Sequence, residues 1–64
     1  MMREVICVSI RESMPTQIIE GETYYLDFNS DKIYSDRDGD WYVPVYDKDR
    51  HYIGDMNLKH FRDI

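Results

Sequence analysis

The sequence predicts a small, mostly β domain whose five or six short antiparallel strands close into a barrel, with one 3₁₀ turn near the C-terminus. Three observations lead to this fold class. The chain has only 64 residues, its apolar residues alternate with period two almost throughout, and turn signals recur at short intervals. A flat sheet of such short strands would leave two edges open, so closure is the expected arrangement. We expect a single domain spanning residues 1–64.

The N-terminal half predicts two clear strands. Residues 4–10 are rich in β-branched side chains and nearly free of polar ones, which is typical of a strand that is covered on both sides. One predicted face carries Ile6, Val8 and Ile10, and the other carries Val5, Cys7 and Ser9. Pro15 interrupts the pattern, and residues 17–19 form a short extended piece before a turn at residues 20–22. Residues 23–28 form the second strand, with Tyr24, Leu26 and Phe28 on one face.

The C-terminal half predicts a series of hairpins. A short strand at residues 32–35 is followed by a turn in which Asp38-Gly39 is the strongest signal. Residues 41–46 form the next strand, in which Pro44 indicates an edge or a bulge because it has no amide hydrogen. We expect a further strand at residues 51–55 and one 3₁₀ turn within residues 56–60. Residues 61–64 close the fold as a last short strand.

The large side chains are expected to supply the core. Trp41 shares its predicted face with Val43 and Val45, so we expect it to be a core or near-core residue. Cys7 is the only cysteine, which rules out a disulfide within the chain. Its apolar neighbours predict a small buried residue and not a reactive thiol. The absence of disulfides, of a signal peptide and of a long apolar run predicts a soluble protein of the cytoplasm.

Charge is unevenly distributed along the chain. The net charge is −5, and residues 20–49 alone carry nine acidic and only three basic side chains, a balance of −6. Phosphate backbones bind lysine and arginine, so direct binding to nucleic acid is disfavoured. No apolar stretch approaches the roughly 20 residues that a membrane-spanning helix requires.

Several segments resemble a family of small proteins. These segments are Gly21-Glu22-Thr23-Tyr24-Tyr25, residues 41–46, Tyr52-Ile53-Gly54-Asp55 and Leu58-Lys59-His60-Phe61. Together they are similar to the small SH3-like barrel proteins of Gram-positive bacteria and their phages. In that family, a "glycine, charged, x, tyrosine" step opens a strand, and a last turn ending in Phe seals the barrel. The resemblance runs from Gln17 onward. It implies an SH3-like barrel of phage or mobile-element origin, and it transfers no active residue.

Catalytic, cofactor and metal sites are not predicted. Asp36 and Asp38 fit two positions of a calcium loop that has Gly39 as its sixth residue, but its first and twelfth positions are then Tyr34 and Val45. A hairpin turn exposed to solvent is therefore the preferred interpretation, and Asp47 and Asp49 are interpreted in the same way. The chain has two histidines and several serines, none of them in a recognisable nucleophile motif, and its three glycines lie too far apart to cradle a phosphate. We therefore expect no enzymatic activity.

An excess of tyrosine predicts a protein-binding surface. SH3-type grooves use exposed aromatic side chains beside acidic ones, and a domain of this size cannot bury all nine of its aromatic residues. The candidate surface consists of Tyr25, Asp38, Asp40, Tyr42, Tyr46 and Tyr52. The predicted partner is a host protein, such as a defence factor, that this chain inhibits or modulates. Two alternatives stay open. One is an acidic mimic of DNA, and the other is a structural or regulatory homodimer joined through the less acidic residues 5–19 or 51–64.

Overall fold

The computed structural model describes residues 2–64 and contains six strands and one 3₁₀ turn, which confirms the mostly β fold. The elements are β1 (Met2–Cys7), β2 (Thr23–Asp27), β3 (Tyr34–Ser35), β4 (Trp41–Tyr46), β5 (Tyr52–Asn57), the 3₁₀ turn (Leu58–His60) and β6 (Phe61–Asp63). All strand pairs are antiparallel. Asn57 caps the 3₁₀ turn, because its side-chain oxygen accepts a hydrogen bond from the Lys59 amide at 3.0 Å.

Strand β4 is the centre of the sheet because it pairs with three other strands. Its residues 42–46 pair with β5 on one edge. The other edge is shared, since β3 pairs with Trp41 and Tyr42 while β2 pairs with Val45 and Tyr46. Pro44 lies between these two paired segments, one residue before a bulge against β5. A proline is therefore accommodated inside a central strand.

The sheet is open and does not form the closed ring that the sequence predicts. Its hydrogen-bonded path runs β5-β4-β2-β1-β6, with β3 added on β4, and within residues 2–64 the two end strands β5 and β6 do not pair with each other. The 3₁₀ turn directly follows β5 and carries the chain away from it. Strand β6 therefore pairs with β1, where Cys7 lies opposite Phe61.

The first strand is shorter than predicted, and one of its two faces is exposed where the sequence predicts that both are covered. It spans residues 2–7 and not 4–10, because the partner strand β2 begins at Thr23, opposite Ile6. Beyond that point the Val8 amide bonds to the His60 carbonyl at 2.8 Å instead of continuing the ladder. Val5 and Cys7 are buried as a pair on the core face. The predicted companion face is largely open, since Ile10 is 52% exposed.

Side chains from five strands and from the 8–22 loop form the core. It consists of Val5, Cys7, Ile18, Tyr24, Leu26, Val43, Val45, Met56 and Phe61. Burial of Cys7 confirms its predicted role, and burial also raises the pKa of its thiol. Tyr24 satisfies its hydroxyl inside the protein, because it accepts from the Ile19 amide at 2.8 Å and donates to the Gln17 carbonyl at 3.1 Å. These two hydrogen bonds hold the long loop of residues 8–22 against the core.

Trp41 is not the core residue that the sequence predicts. Its side chain is 52% exposed, whereas Val43 and Val45 on the same face are buried. Trp41 is the first residue of β4 and pairs with Ser35, the last residue of the two-residue strand β3. The sheet ends at this point, so alternation places the ring on the core side but beyond the residues that would cover it. Phe28 directly follows the last residue of β2, so it also lies beyond the residues that would cover it, and it is 37% exposed.

Candidate protein-binding face

The strand registers bring five tyrosines onto one face of the sheet, opposite the core. Tyr25 lies opposite Tyr46, Tyr46 lies opposite Tyr52, and Tyr34 lies opposite Tyr42. Residues that oppose each other in an antiparallel pair share a face, and residues 42 and 46 share one along β4. We call this set the tyrosine face: Tyr25, Tyr34, Tyr42, Tyr46 and Tyr52. Four of the five are predicted from the sequence, and Tyr34 is the addition.

Four of the five rings of the tyrosine face contact one another in two pairs. Tyr34 and Tyr42 stack with centroids 5.1 Å apart and an interplanar angle of 5°, and Tyr46 and Tyr52 meet at 5.6 Å and 59°. Tyr34 is 50% exposed and Tyr52 is 57% exposed. Ring contacts of this kind restrain aromatic side chains. The face therefore combines restrained rings with a large accessible surface.

A shallow cleft lies beside the second ring pair. It has a volume of about 300 Å³ and is lined by Ser30, Lys32, Pro44, Tyr46, Tyr52 and Asp55. Pro44 is buried in β4 and forms an apolar part of its wall. Lys32 and Asp55 place one basic and one acidic group on its lining. The cleft can receive one side chain of a partner and offers it aromatic, apolar and charged groups.

Acidic residues contact this face, but they are not all the predicted ones. The Tyr52 hydroxyl donates to Asp55 Oδ1 at 2.8 Å, and this bond is the main reason that the pKa of Tyr52 is raised. The pKa of Tyr42 is raised by burial first and then by Asp36, with a smaller contribution from the charge of Asp40. Asp40 is thus close enough to influence the face. Asp38, the other predicted acid, is exposed in the β3–β4 turn, where its amide donates to Asp36 Oδ1 at 2.9 Å.

A cation already covers one ring of the face. The guanidinium of Arg50 lies over Tyr25, 5.1 Å from the ring centroid. Arg50 is in the hairpin turn between β4 and β5 and has a left-handed backbone with φ of 65°. The turn is closed by the Arg50 amide, which donates to the Asp47 carbonyl at 2.9 Å. Arg50 thus extends from this turn and places a positive charge on the aromatic surface.

A second cleft contains a serine and a histidine that lie 51 positions apart in the sequence. Ser9 Oγ and His60 Nδ1 are 2.9 Å apart, and His60 lines a cleft of about 140 Å³ with Arg11, Met14 and Tyr42 among its neighbours. His60 is buried, and burial lowers its pKa, as do the nearby charges of Lys59 and Arg11. In a hydrolase triad the nucleophile contacts Nε2, and Nδ1 donates to a carboxylate. Here the serine contacts Nδ1, and the contact joins the 8–22 loop to the 3₁₀ turn.

The turn between β4 and β5 gathers three groups that metals can bind. Ligand atoms of Asp47, Asp49 and His51 all lie within 4.8 Å of one another. Asp47 Oδ1 also accepts hydrogen bonds from the amides of Asp49 and His51, both at 2.9 Å. These two bonds shape the turn by themselves, as aspartate commonly does. The sequence indicates the two aspartates but not the approach of His51.

Comparison with other proteins adds no family. No protein-family model, no curated protein and no solved structure matches this chain. Within residues 2–64, no helix is both long enough and apolar enough to cross a membrane.

Proposed function

We propose that this protein is a non-enzymatic binding module that docks onto another protein through its tyrosine face. The observation that carries the proposal is the gathering of five tyrosines from four strands on one side of the sheet. Tyrosine is enriched in the cores of protein interfaces, where a largely apolar ring is buried and its hydroxyl stays hydrogen-bonded. A surface with several half-exposed aromatic rings is unusual unless a partner covers it.

The proposed scaffold is an SH3-like barrel. The sequence resemblance implies it, and the order of the elements supports it, because a 3₁₀ turn leads from β5 into a last strand that pairs with the first. Twist brings the two ends of such a sheet towards each other, and the radius of gyration is 10.8 Å. We propose, on the same resemblance, that the protein is encoded by a bacteriophage and inhibits or modulates a protein in the host cytoplasm.

The absence of enzymatic activity is part of the proposal. The Ser9–His60 contact is the arrangement within residues 2–64 that most resembles a nucleophile and its base. Its use of Nδ1 leaves no place for an orienting carboxylate on that nitrogen. Its hydrogen bond instead adds to the one between the Val8 amide and the His60 carbonyl. Both fix the same loop, which supports a structural role.

A mimic of DNA is less well supported than a protein binder. Mimicry requires carboxylates in rows with the spacing of phosphates. In this chain Asp36 Oδ1 accepts from the amides of Asp38 and Asp40, and Asp47 Oδ1 accepts from those of Asp49 and His51. These acids therefore serve two compact turns, and the tyrosine face favours a protein partner.

Affinity capture with matched variants tests the proposal. Tyr52→Ser removes an exposed ring from the face, and Ile19→Ser removes an equally exposed apolar side chain from the 8–22 loop, since the two are 57% and 56% exposed. We expect a host protein that is retained by the wild type and by Ile19→Ser but lost with Tyr52→Ser. Calorimetry with the purified partner then measures the loss of affinity. Equal retention by all three forms would refute the tyrosine face as the docking surface.

A further inference from the structure

We infer that the tyrosine face receives an arginine side chain of its partner at the cleft between Tyr46, Tyr52 and Asp55. This inference rests on the proposed function and specifies the chemistry of the partner. It is drawn from contacts that the chain makes with its own arginines and from the charges around the cleft.

The tyrosine face already holds one arginine of the chain itself. Arg50 lies over Tyr25 at 5.1 Å, and on another part of the sheet Arg3 lies over Phe28 at 5.8 Å. The face of an aromatic ring carries negative potential, and guanidinium groups stack on it. Tyr25 and Tyr46 are directly opposed across β2 and β4. The ring of Tyr46 thus continues the surface on which an arginine of the chain already lies.

An acidic group, Asp55, lies beside the ring of Tyr52. Asp55 is exposed and holds the Tyr52 hydroxyl through Oδ1 at 2.8 Å. Within residues 2–64 the ion pairs involve Asp47, Asp63 and Glu22, and not Asp55. A carboxylate next to ring faces offers both of the contacts that a guanidinium makes well, stacking and a directed hydrogen bond. A lysine ammonium is a compact point charge and would use only part of this arrangement.

Lys32 limits the number of cations that the cleft accepts. It lines the same cleft as Asp55, so a second positive charge from the partner would be repelled. The segment of residues 20–49, which contains Lys32, has a net charge of −6. We therefore expect a single arginine in the cleft, drawn by the general acidity of the face. Replacing Lys32 with Gln should strengthen its binding.

The test is a titration of the protein with three peptides that differ at one position, in which NMR chemical shifts of the protein's amides report binding. The probes are acetyl-Thr-Val-Arg-Val-Thr-amide and the same peptide with lysine or citrulline in place of arginine; citrulline keeps the shape of arginine without its charge. We expect saturable shifts around Tyr46, Tyr52 and Asp55, with a dissociation constant on the order of 1 mM. Lysine should bind about threefold more weakly, and citrulline more weakly still.

Matched protein variants complete the test. Asp55→Asn removes one charge but keeps an acceptor for the Tyr52 hydroxyl, and it should weaken arginine binding by about threefold or more. Asp63→Asn removes the same charge from β6, four strands away along the sheet path, and should leave binding unchanged. Lys32→Gln should tighten it.

Two results would overturn the inference. One is equal binding of the arginine and citrulline peptides. The other is an equal effect of Asp55→Asn and Asp63→Asn. If either occurs while a captured host protein still depends on Tyr52, the inference alone fails and the proposed function stands. Loss of that dependence on Tyr52 would instead refute the docking face itself.

Discussion

Two hydrophobic residues of the sheet, Leu26 and Trp41, should respond to truncation in the reverse order of their size. Leu26 in β2 is 0% exposed, whereas Trp41 is 52% exposed at the start of β4. Leu26→Ala removes buried methyl groups and leaves a cavity, which costs about 3–5 kcal/mol. A domain of this length has a free energy of unfolding of roughly 3–10 kcal/mol. The variant should therefore be at the limit of folding at room temperature.

Trp41→Ala should cost less, although tryptophan is the larger residue. About half of its surface is already in water, and solvent fills the space that the ring leaves, so there is no cavity contribution. Removing about 100 Å² of apolar burial costs about 2 kcal/mol at most, since the unfolded chain also covers part of this surface. The difference from Leu26→Ala should be at least about 1 kcal/mol, or roughly 4–8 °C in Tm.

Urea unfolding followed by far-ultraviolet circular dichroism measures both free energies. Tryptophan fluorescence is unsuitable, because Trp41 is the only tryptophan in the chain. The dependence of stability on urea should stay unchanged in both variants, so that the midpoints report stability directly. Should Trp41→Ala prove as destabilising as Leu26→Ala, burial of the ring would be established and the exposed position at the sheet end would be wrong.

Four further predictions follow from other parts of the structure. Burial and the neighbouring cations lower the pKa of His60 below its ordinary 6.5, so the unfolded state takes up a proton at a higher pH than the folded state does. The free energy of unfolding should therefore fall as the pH drops from 6.5 towards the folded pKa. Urea titrations at several pH values measure this slope, and His60→Gln should abolish it. The Cys7 thiol should react with a disulfide reagent at least about a hundredfold more slowly in the native protein than in urea, because it reacts mainly through opening of the core; equal rates would place it on the surface. Millimolar calcium should leave the Tm unchanged, because Asp36 holds its own turn; a rise that Asp38→Ala removes would reveal a site. Light scattering across a range of protein and salt concentrations should detect a homodimer joined through exposed apolar residues such as Ile10 and Ile19, and a monomer mass throughout would exclude it.

The elements with strong local signals are those that the sequence predicts best. Strand β4 has the predicted bounds, and the turn around Asp38-Gly39 and the 3₁₀ turn near the C-terminus are present. Strand β1 was misplaced by three residues at its end, because Val8 and Ile10 have a high preference for strands and yet no partner strand extends that far. The open path of the sheet depends on contacts between distant residues, which periodicity does not record.

The candidate site was predicted in part for a related reason. Alternation in β4 and the composition of β2 and β5 indicate four tyrosines of the face, but only the hairpin register shows that Tyr34 joins them. The sequence contains the signal for this register, because a five-residue connection at 36–40 places Ser35 opposite Trp41 and Tyr34 opposite Tyr42. The effect of Asp36 on Tyr42, the hydrogen bond that Asp55 accepts from Tyr52 and the contact between Ser9 and His60 depend on the folded arrangement and have no local signal.

The alternation in β2 and β4 separates the evolution of binding from the evolution of stability. Tyr24 and Leu26 face the core, and Tyr25 between them faces outward; Val43 and Val45 face the core, and Tyr42 and Tyr46 face outward. Under the proposed binding role, substitutions at the outward positions would change what the face recognises, while the inward positions keep the chain folded. The outward residues could then change one at a time without loss of the fold. A library randomised only at the outward positions of these strands should consequently yield a high proportion of folded proteins with new specificities.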